Sequence, residues 1–150
     1  FRLTVAGFEA ELKVLDLQKW REESGLWDQI EILPNVADTR ALISTCDFGV
    51  AASTGSEATA RVALEFLAMG KPVLASRVGI LPEMVDERCG WLFEPGNFES
   101  FAAAFKQALA SSSRYAEIGR AARAKVEADF DLEKLADRME SVLQKLVADA

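Results

Sequence analysis

Two acidic residues, Glu57 and Glu65, stand where a polar loop gives way to an apolar helix-forming segment. Glu65 has apolar neighbours, so its carboxylate must face water, pair with a cation or accept hydrogen bonds from a ligand. The two oxygens of a carboxylate can each accept one adjacent sugar hydroxyl. If both acids lie on one helix, their spacing corresponds to about 12 Å of rise. That span places one carboxylate at each end of a bound diphosphate.

The small residues between these acids favour the close approach of an anion. Ala58, Thr59 and Ala60 occupy the predicted start of the helix, near Thr59. The first turn of a helix has backbone N–H groups without partners and the positive end of the helix dipole. A phosphate is therefore the expected occupant of this helix tip.

Two simpler interpretations of the acids stay open. Arg61 precedes Glu65 by four residues, so the two side chains can form an ordinary surface ion pair. Glu57 can serve only to stabilise the N-terminus of the helix, where acidic side chains are favourable.

Short apolar runs alternate with helical patterns along the whole chain. Strands are predicted in five segments: 3–6, 30–33, 48–52, 72–76 and 90–93. Helices are predicted over 9–24, 38–46, 59–69, 81–85, 97–110, 114–128 and 131–146, with Asp38, Asn97 and Asp131 as N-caps. This alternation predicts an α/β fold, a mainly parallel five-stranded sheet between two helical layers. Its ligand-binding loops should follow the strands, beginning at Gly7, Pro34, Ser53 and Arg77.

Composition excludes several functional classes. The net charge of -7 disfavours nucleic acid as a partner. The absence of histidine argues against zinc sites of the usual kind and against histidine-assisted nucleophiles. No apolar run approaches the length of a transmembrane segment. Cys46 and Cys89 fit reduced thiols, which predicts a cytoplasmic location.

The central block of the sequence resembles retaining glycosyltransferases of the GT-B fold, the glycosyl transferases group 1. The similarity rests on the run 56–76, in which Glu57, seven residues and Glu65 precede an apolar helix, Gly70-Lys71-Pro72 and a strand. The segments 78–85 and 90–93 resemble the next two landmarks, and segments 3–7 and 30–36 resemble earlier strands. The resemblance implies the Rossmann-like, three-layer α/β/α C-terminal domain that binds a nucleotide-sugar donor.

The resemblance also implies roles for individual residues. Glu57 would contact hydroxyls of the transferred sugar and orient it, and Glu65 would bind the ribose hydroxyls. The diphosphate would be held by the backbone of Ala58, Thr59, Ala60, Arg61 and Val62. The loop of Asn35, Val36 and Ala37 would line the base. No metal or other cofactor would be required, because the departing phosphate takes the proton of the acceptor, which would be a glycan or a glycolipid such as lipopolysaccharide.

The sequence also departs from the family pattern. Ala58-Thr59-Ala60 replaces the usual Gly-Phe-Gly after the first glutamate. Residues 1–150 would form the donor domain without its first strand–helix unit and without the N-terminal acceptor domain. The chain alone is therefore expected to bind donor weakly and to transfer no sugar, and its self-association is a further possibility. The strand order stays open between 2-1-3-4-5 and an order with a gap between strands 1 and 3.

Two alternative functions, the packing of the last helix and the location of the whole protein stay undecided. A nucleotide-sugar epimerase of similar fold would need a proton-transferring residue near the sugar, and a flavodoxin-like binding module would need no catalytic residue. The apolar face of the last helix is predicted to pack on its own sheet, with a partner domain as the alternative. In the whole protein, the inner membrane surface is the alternative to a free cytoplasmic location.

Overall fold

The computed structural model describes residues 1–7, 13–55 and 57–148 of the chain. These residues divide into two compact units, Phe1–Leu42 and Ile43–Ala150. We call them the first and the second unit and describe each by itself.

The first unit is a parallel strand pair with one connecting helix. β1 (Leu3–Gly7) pairs with β2 (Ile30–Pro34), with Leu3 opposite Ile30. The helix α1 is described over Val14–Ser24, and its predicted start at Glu9 lies outside the described residues. It ends at Ser24, and Gly25 follows with φ 68° as a left-handed cap.

The second unit contains a three-stranded parallel sheet. Its strands are β3 (Gly49–Ala51), β4 (Val73–Ser76) and β5 (Gly90–Phe93), in the order β3-β4-β5. β4 lies in the middle, and all four of its residues are buried. A strand covered on both faces needs no alternation of polar and apolar residues, which explains the apolar run at this position.

The remaining helices follow the predicted order, and their caps are where the sequence places them. They are α2 (Thr39–Thr45), α3 (Arg61–Ala68), α4 (Leu81–Met84), α5 (Phe98–Ala110), α6 (Tyr115–Asp129) and α7 (Leu132–Ala148). Asp38 Oδ1 accepts the N–H of Ala41, and Asn97 Oδ1 accepts the N–H of Ser100. Asp131 Oδ1 accepts the N–H groups that open α7. The three predicted N-caps are thus confirmed.

The core of the second unit lies on both faces of its sheet. On one face, Val73 and Ala75 pack with Leu67 of α3 and with apolar residues of α4 and α6. On the other face, Leu74 packs with Phe93 and with Ala104 of α5. Within this unit the predicted arrangement of helix, sheet and helix layers is therefore confirmed.

The strand pairing differs from the single five-stranded sheet that the sequence predicts. In the described residues, the strands belong to two sheets, one of two strands and one of three. The pairing is parallel throughout, as predicted. Among the described residues, the strand orders are β1-β2 in one sheet and β3-β4-β5 in the other. The reason is that strand patterns specify which segments are extended, whereas their neighbours in a sheet depend on long-range contacts.

The apolar face of α7 does not pack on the sheet of the second unit. Leu132 is 79% exposed, Met139 61% and Leu146 64%. The prediction that this face packs on its own sheet is therefore wrong for the described residues, because periodicity marks an apolar stripe without identifying what covers it.

None of the helices among the described residues combines the length and the apolar composition that crossing a membrane requires. Cys46 and Cys89 form no disulfide in this part of the chain.

Candidate functional site

The carboxyl ends of β3 and β4 bring two serines together. Ser76 is the last residue of β4 and is completely buried. Its hydroxyl donates a hydrogen bond of 2.7 Å to the carbonyl oxygen of Ser53, which follows β3. This bond fixes the main chain at the start of the loop that leads to Glu57.

The carboxylate of Glu57 is held by two donors from the protein. The Ser53 hydroxyl donates to Oε2 at 2.7 Å, and the backbone N–H of Ala60 donates to Oε1 at 3.0 Å. Each oxygen retains a second acceptor direction, because an ionised carboxylate offers about four lone-pair sites. Glu57 is half-buried. Its carboxylate is thus oriented but not saturated.

The main chain of Glu57 is held by the loop between β4 and α4. The N–H of Ile80 donates to the carbonyl oxygen of Glu57 at 3.0 Å. Gly79 has φ +53° and lies so close that a Cβ on it would stand 2.7 Å from the Glu57 carbonyl carbon. Only glycine permits this close approach, so Gly79 belongs to the machinery that places Glu57.

The helix after Glu57 begins later than the sequence predicts. α3 starts at Arg61, because Ala60 adopts φ 40° and ψ 42°, a left-handed conformation outside the helix. Glu57 and Glu65 therefore do not share one helix, and the rise of about 12 Å inferred from their spacing is wrong. Glu57 lies in the loop before the helix, and its carboxylate reaches forward to the N–H of Ala60 at the helix entrance.

In the pattern that the sequence resembles, a glycine stands at the position of Ala60, and glycine adopts this left-handed conformation without strain. A residue with a Cβ in this region costs about 1–2 kcal/mol relative to glycine. The Ala60 side chain is 5% exposed and packs in the core, which offsets part of that cost.

Ala60→Gly is therefore expected to stabilise the chain by about 0.5–1 kcal/mol, in contrast to ordinary helix positions. The matched control is Ala63→Gly inside α3, where glycine should destabilise by about 1 kcal/mol or more. Thermal unfolding of both variants checks the difference in sign. A loss of stability in Ala60→Gly comparable to that in Ala63→Gly would contradict the left-handed conformation at Ala60.

The N-terminus of α3 has backbone N–H groups that no described residue accepts. The first backbone bond into the helix runs from the N–H of Leu64 to the carbonyl oxygen of Ala60, at 3.1 Å. Within the described part of the chain, no acceptor receives the N–H groups of Arg61, Val62 or Ala63. The residues around this helix tip are exposed, namely Ala58, Thr59, Arg61 and Val62. The predicted phosphate position at the helix tip is thus open, although it begins at Arg61.

Glu65 lies in the second turn of α3 and is half-buried. The ion pairs of the described residues do not include Arg61 with Glu65, so the surface-pair interpretation is wrong. No described side chain donates a hydrogen bond to the Glu65 carboxylate either. Glu57 does stabilise the helix entrance, since its carboxylate accepts the N–H of Ala60, and whether it has no further role stays open.

The predicted base-lining loop lies at the end of the strand pair in the first unit. Asn35 follows β2 with φ 58°, and its N–H donates to the carbonyl oxygen of Gly7 at 3.2 Å. Asn35 and Ala37 are exposed, and Val36 is half-buried. The three residues therefore stand at the carboxyl edge of β1 and β2, where parallel sheets place ligand loops. Their role in base binding stays a prediction.

The sequence analysis does not include Ser76, Gly79 or the hydroxyl of Ser53, the groups that hold Glu57 and the loop leading to it. The available signal was their position, since all three stand where a strand of the parallel sheet ends. A serine at the end of the otherwise apolar β4 also indicates a polar partner nearby.

A sequence profile described as "Glycosyl transferases group 1" matches residues 1–125 of the 150-residue chain. The chain belongs to this family. The matched region contains Glu57, Glu65 and all of α3.

Two curated relatives of this glycosyltransferase domain are longer proteins. The domain is 29% identical to spore coat protein SA of Bacillus subtilis (strain 168) over 110 residues, which cover 72% of this chain and 29% of that protein. It is 34% identical to sulfoquinovosyl transferase SQD2 of Arabidopsis thaliana over 76 residues, 48% of this chain and 15% of that protein. The chain thus spans less than a third of either relative.

Solved structures of Anabaena HepE have the same fold. The complex of HepE with UDP matches at a TM-score of 0.84 and 26% identity, covering 96% of this chain and 41% of HepE. The complex of HepE with UDP-glucose matches at a TM-score of 0.82. This similarity confirms the predicted fold class, the α/β C-terminal domain of a GT-B glycosyltransferase.

Proposed function

We propose that this chain is the donor-binding domain of a retaining glycosyltransferase that moves a sugar from a nucleotide-diphosphate sugar to a glycan or glycolipid acceptor. The observation that supports it best is the entrance of α3, where open N–H groups adjoin an oriented but unsaturated carboxylate. HepE, which has the same fold, was solved with UDP and with UDP-glucose.

The diphosphate is proposed to bind the N–H groups of Arg61, Val62 and Ala63. These donors stand at the positive end of the α3 dipole, which favours an anion. The nearby N–H of Ala60 is already occupied by Glu57. Because two anions repel each other, the diphosphate should settle on the unoccupied donors rather than beside Glu57.

The sugar is proposed to lie against Glu57. The hydroxyls of a sugar are neutral donors that can occupy the remaining acceptor directions of its carboxylate. Fixing the sugar in this way would orient its anomeric carbon for transfer. In the retaining mechanism we propose, the departing phosphate takes the acceptor proton, and neither a metal nor another cofactor is required.

The nucleoside is proposed to contact Glu65 through its ribose hydroxyls and the loop 35–37 through its base. The half-buried carboxylate of Glu65, which no described residue pairs with, supports the first contact, since such a group gains stability from donors supplied by a ligand. For the whole protein, we propose a separate acceptor domain and a cytoplasmic location. Association with the inner membrane surface is the alternative to a free location in the cytoplasm. The inactivity of residues 1–150 by themselves stays a prediction.

The role of Glu65 can be tested by calorimetric titration of the chain with UDP, GDP and ADP. Glu65→Ala is expected to weaken binding of the preferred nucleotide by about tenfold or more, because hydrogen bonds to a charged acceptor are lost. Glu99→Ala, an exposed acid in the first turn of α5, is the matched control and should leave affinity unchanged. Equal affinities of the parent chain and Glu65→Ala for every nucleotide would contradict the proposed ribose contact.

A further inference from the structure

Glu57 is the end of a chain of hydrogen bonds that begins inside β4. The Ser76 hydroxyl donates to the Ser53 carbonyl oxygen at 2.7 Å, and the Ser53 hydroxyl donates to Glu57 Oε2 at 2.7 Å. The second distance is typical of a hydroxyl donating to a charged oxygen, which is among the stronger hydrogen bonds in proteins. Together with the Ala60 N–H on Oε1, the Ser53 hydroxyl fixes both oxygens of the carboxylate.

Ser76 is buried, so its hydroxyl must be satisfied by a specific hydrogen-bond partner. It is the only polar residue identified as buried in the described core, and it ends an otherwise apolar strand. A hydroxyl at such a position destabilises the fold unless it finds a partner, so alanine would be the simpler residue there. The partner that it does find is the main chain of Ser53.

The strand register shows why the Ser53 main chain needs this partner. β3 and β4 pair as far as Ala51 with Ala75, and Ser76 is the next residue along β4. Beyond Ala51, the chain leaves the sheet and enters the loop to Glu57. The Ser76 side chain thus holds the departing chain at the point where backbone pairing stops.

We propose, building on the sugar-binding role proposed above for Glu57, that Ser53 and Ser76 are positioning residues for its carboxylate. Ser76 sets the path of the main chain at Ser53, and Ser53 sets the rotation of the carboxylate. Neither serine needs to touch the nucleotide. Their loss should therefore weaken recognition of the sugar while leaving recognition of the nucleotide intact.

The test compares the affinities of the chain for UDP-glucose and for UDP, together with a measurement made without ligand. Ser53→Ala is expected to reduce the preference for UDP-glucose over UDP by about tenfold, with the UDP affinity unchanged. Ser53→Thr, which keeps the hydroxyl, should restore the preference. Ser111→Ala is the matched control, because the Ser111 hydroxyl donates only to Gln107 at the end of α5.

The measurement without ligand follows the Ala60 amide in a proton–nitrogen correlation spectrum. In Ser53→Ala this amide should shift and exchange with solvent faster, because its acceptor on Glu57 is no longer fixed. Ser76→Ala should cause the same change in the Ala60 amide. If that variant fails to fold, the Ser53→Ala variant by itself tests the proposal. The amide should not respond to Ser111→Ala.

The outcomes separate this inference from the proposed function. Equal losses of UDP and UDP-glucose affinity in Ser53→Ala would show a purely structural serine and overturn the inference. If the parent chain bound neither ligand, the proposed function would fail, whereas the Ala60 amide would still report on Ser53. An unchanged Ala60 amide in Ser53→Ala would overturn the inference by itself.

Discussion

Replacing Gly79 with alanine is expected to destabilise the second unit and to displace Glu57 at the same time. Gly79 has φ +53°, which costs a residue with a Cβ about 1–2 kcal/mol. The added methyl group would overlap the carbonyl oxygen of Glu57 and lie 3.0 Å from its nitrogen. Because these neighbours are backbone atoms, the loop itself must shift, which adds about 1–3 kcal/mol. The hydrogen bond from Ile80 to Glu57 should be lost with it.

The matched control for this variant is Gly96→Ala. Gly96 has φ +68°, but apart from its chain neighbours no described residue has an atom within 4 Å of a Cβ placed there. Both variants should lower Tm through backbone strain, by about 2–4 °C for each kcal/mol, and Gly79→Ala should lower it further. Only Gly79→Ala should weaken UDP-glucose binding in calorimetric titration. If Gly79→Ala and Gly96→Ala lowered Tm equally and both kept UDP-glucose binding, the close contact between residue 79 and the Glu57 backbone would be contradicted.

Glu57→Gln should abolish most of the contribution of the sugar to donor binding while keeping the fold. Glutamine has nearly the same shape, and its oxygen can still accept the Ala60 N–H. The hydroxyl of Ser53 can rotate and accept from the amide nitrogen. What is lost is the charged acceptor for the sugar hydroxyls, worth about 1.5–3 kcal/mol for each hydrogen bond. UDP-glucose affinity should fall by about tenfold to a hundredfold.

The affinity of Glu57→Gln for UDP should change in the opposite direction to its affinity for UDP-glucose, or not at all. Removing the negative charge of Glu57 relieves its repulsion with the diphosphate, so UDP should bind as well as before or more tightly. Glu99→Gln in α5 is the control and should change neither affinity. A parallel loss of UDP and UDP-glucose affinity in Glu57→Gln, with Tm unchanged, would place Glu57 against the nucleotide instead of the sugar.

The elements of the fold are largely readable from local sequence. α1 ends at Ser24, where the predicted helix also ends, and the side chains of Asn97 and Asp131 cap α5 and α7 as predicted. These signals work because a cap acts within three or four residues of its own position. The buried strand β4 is equally visible, since a short apolar run bounded by Pro72 and Arg77 suits a covered parallel strand.

The entrance of α3 is where local rules fail. Alanine is the best helix former, so the sequence predicts a helix that already includes Ala60. The structure instead gives Ala60 a left-handed conformation, with its N–H turned to the Glu57 carboxylate. Tertiary contacts in the core and at Glu57 outweigh a propensity worth less than about 1 kcal/mol per residue.

The sequence by itself determined the kinds of elements, their order and the two acids at Glu57 and Glu65, because periodicity, caps and residue chemistry are local properties. Only the tertiary structure decided that the strands pair as two sheets, that α7 leaves its apolar face exposed, and what holds Glu57. The contacts that do so join Ser76 to Ser53 and Ile80 to Glu57, each across 23 residues. Bonds of that separation form only when the chain has packed, so no pattern within a short window predicts them.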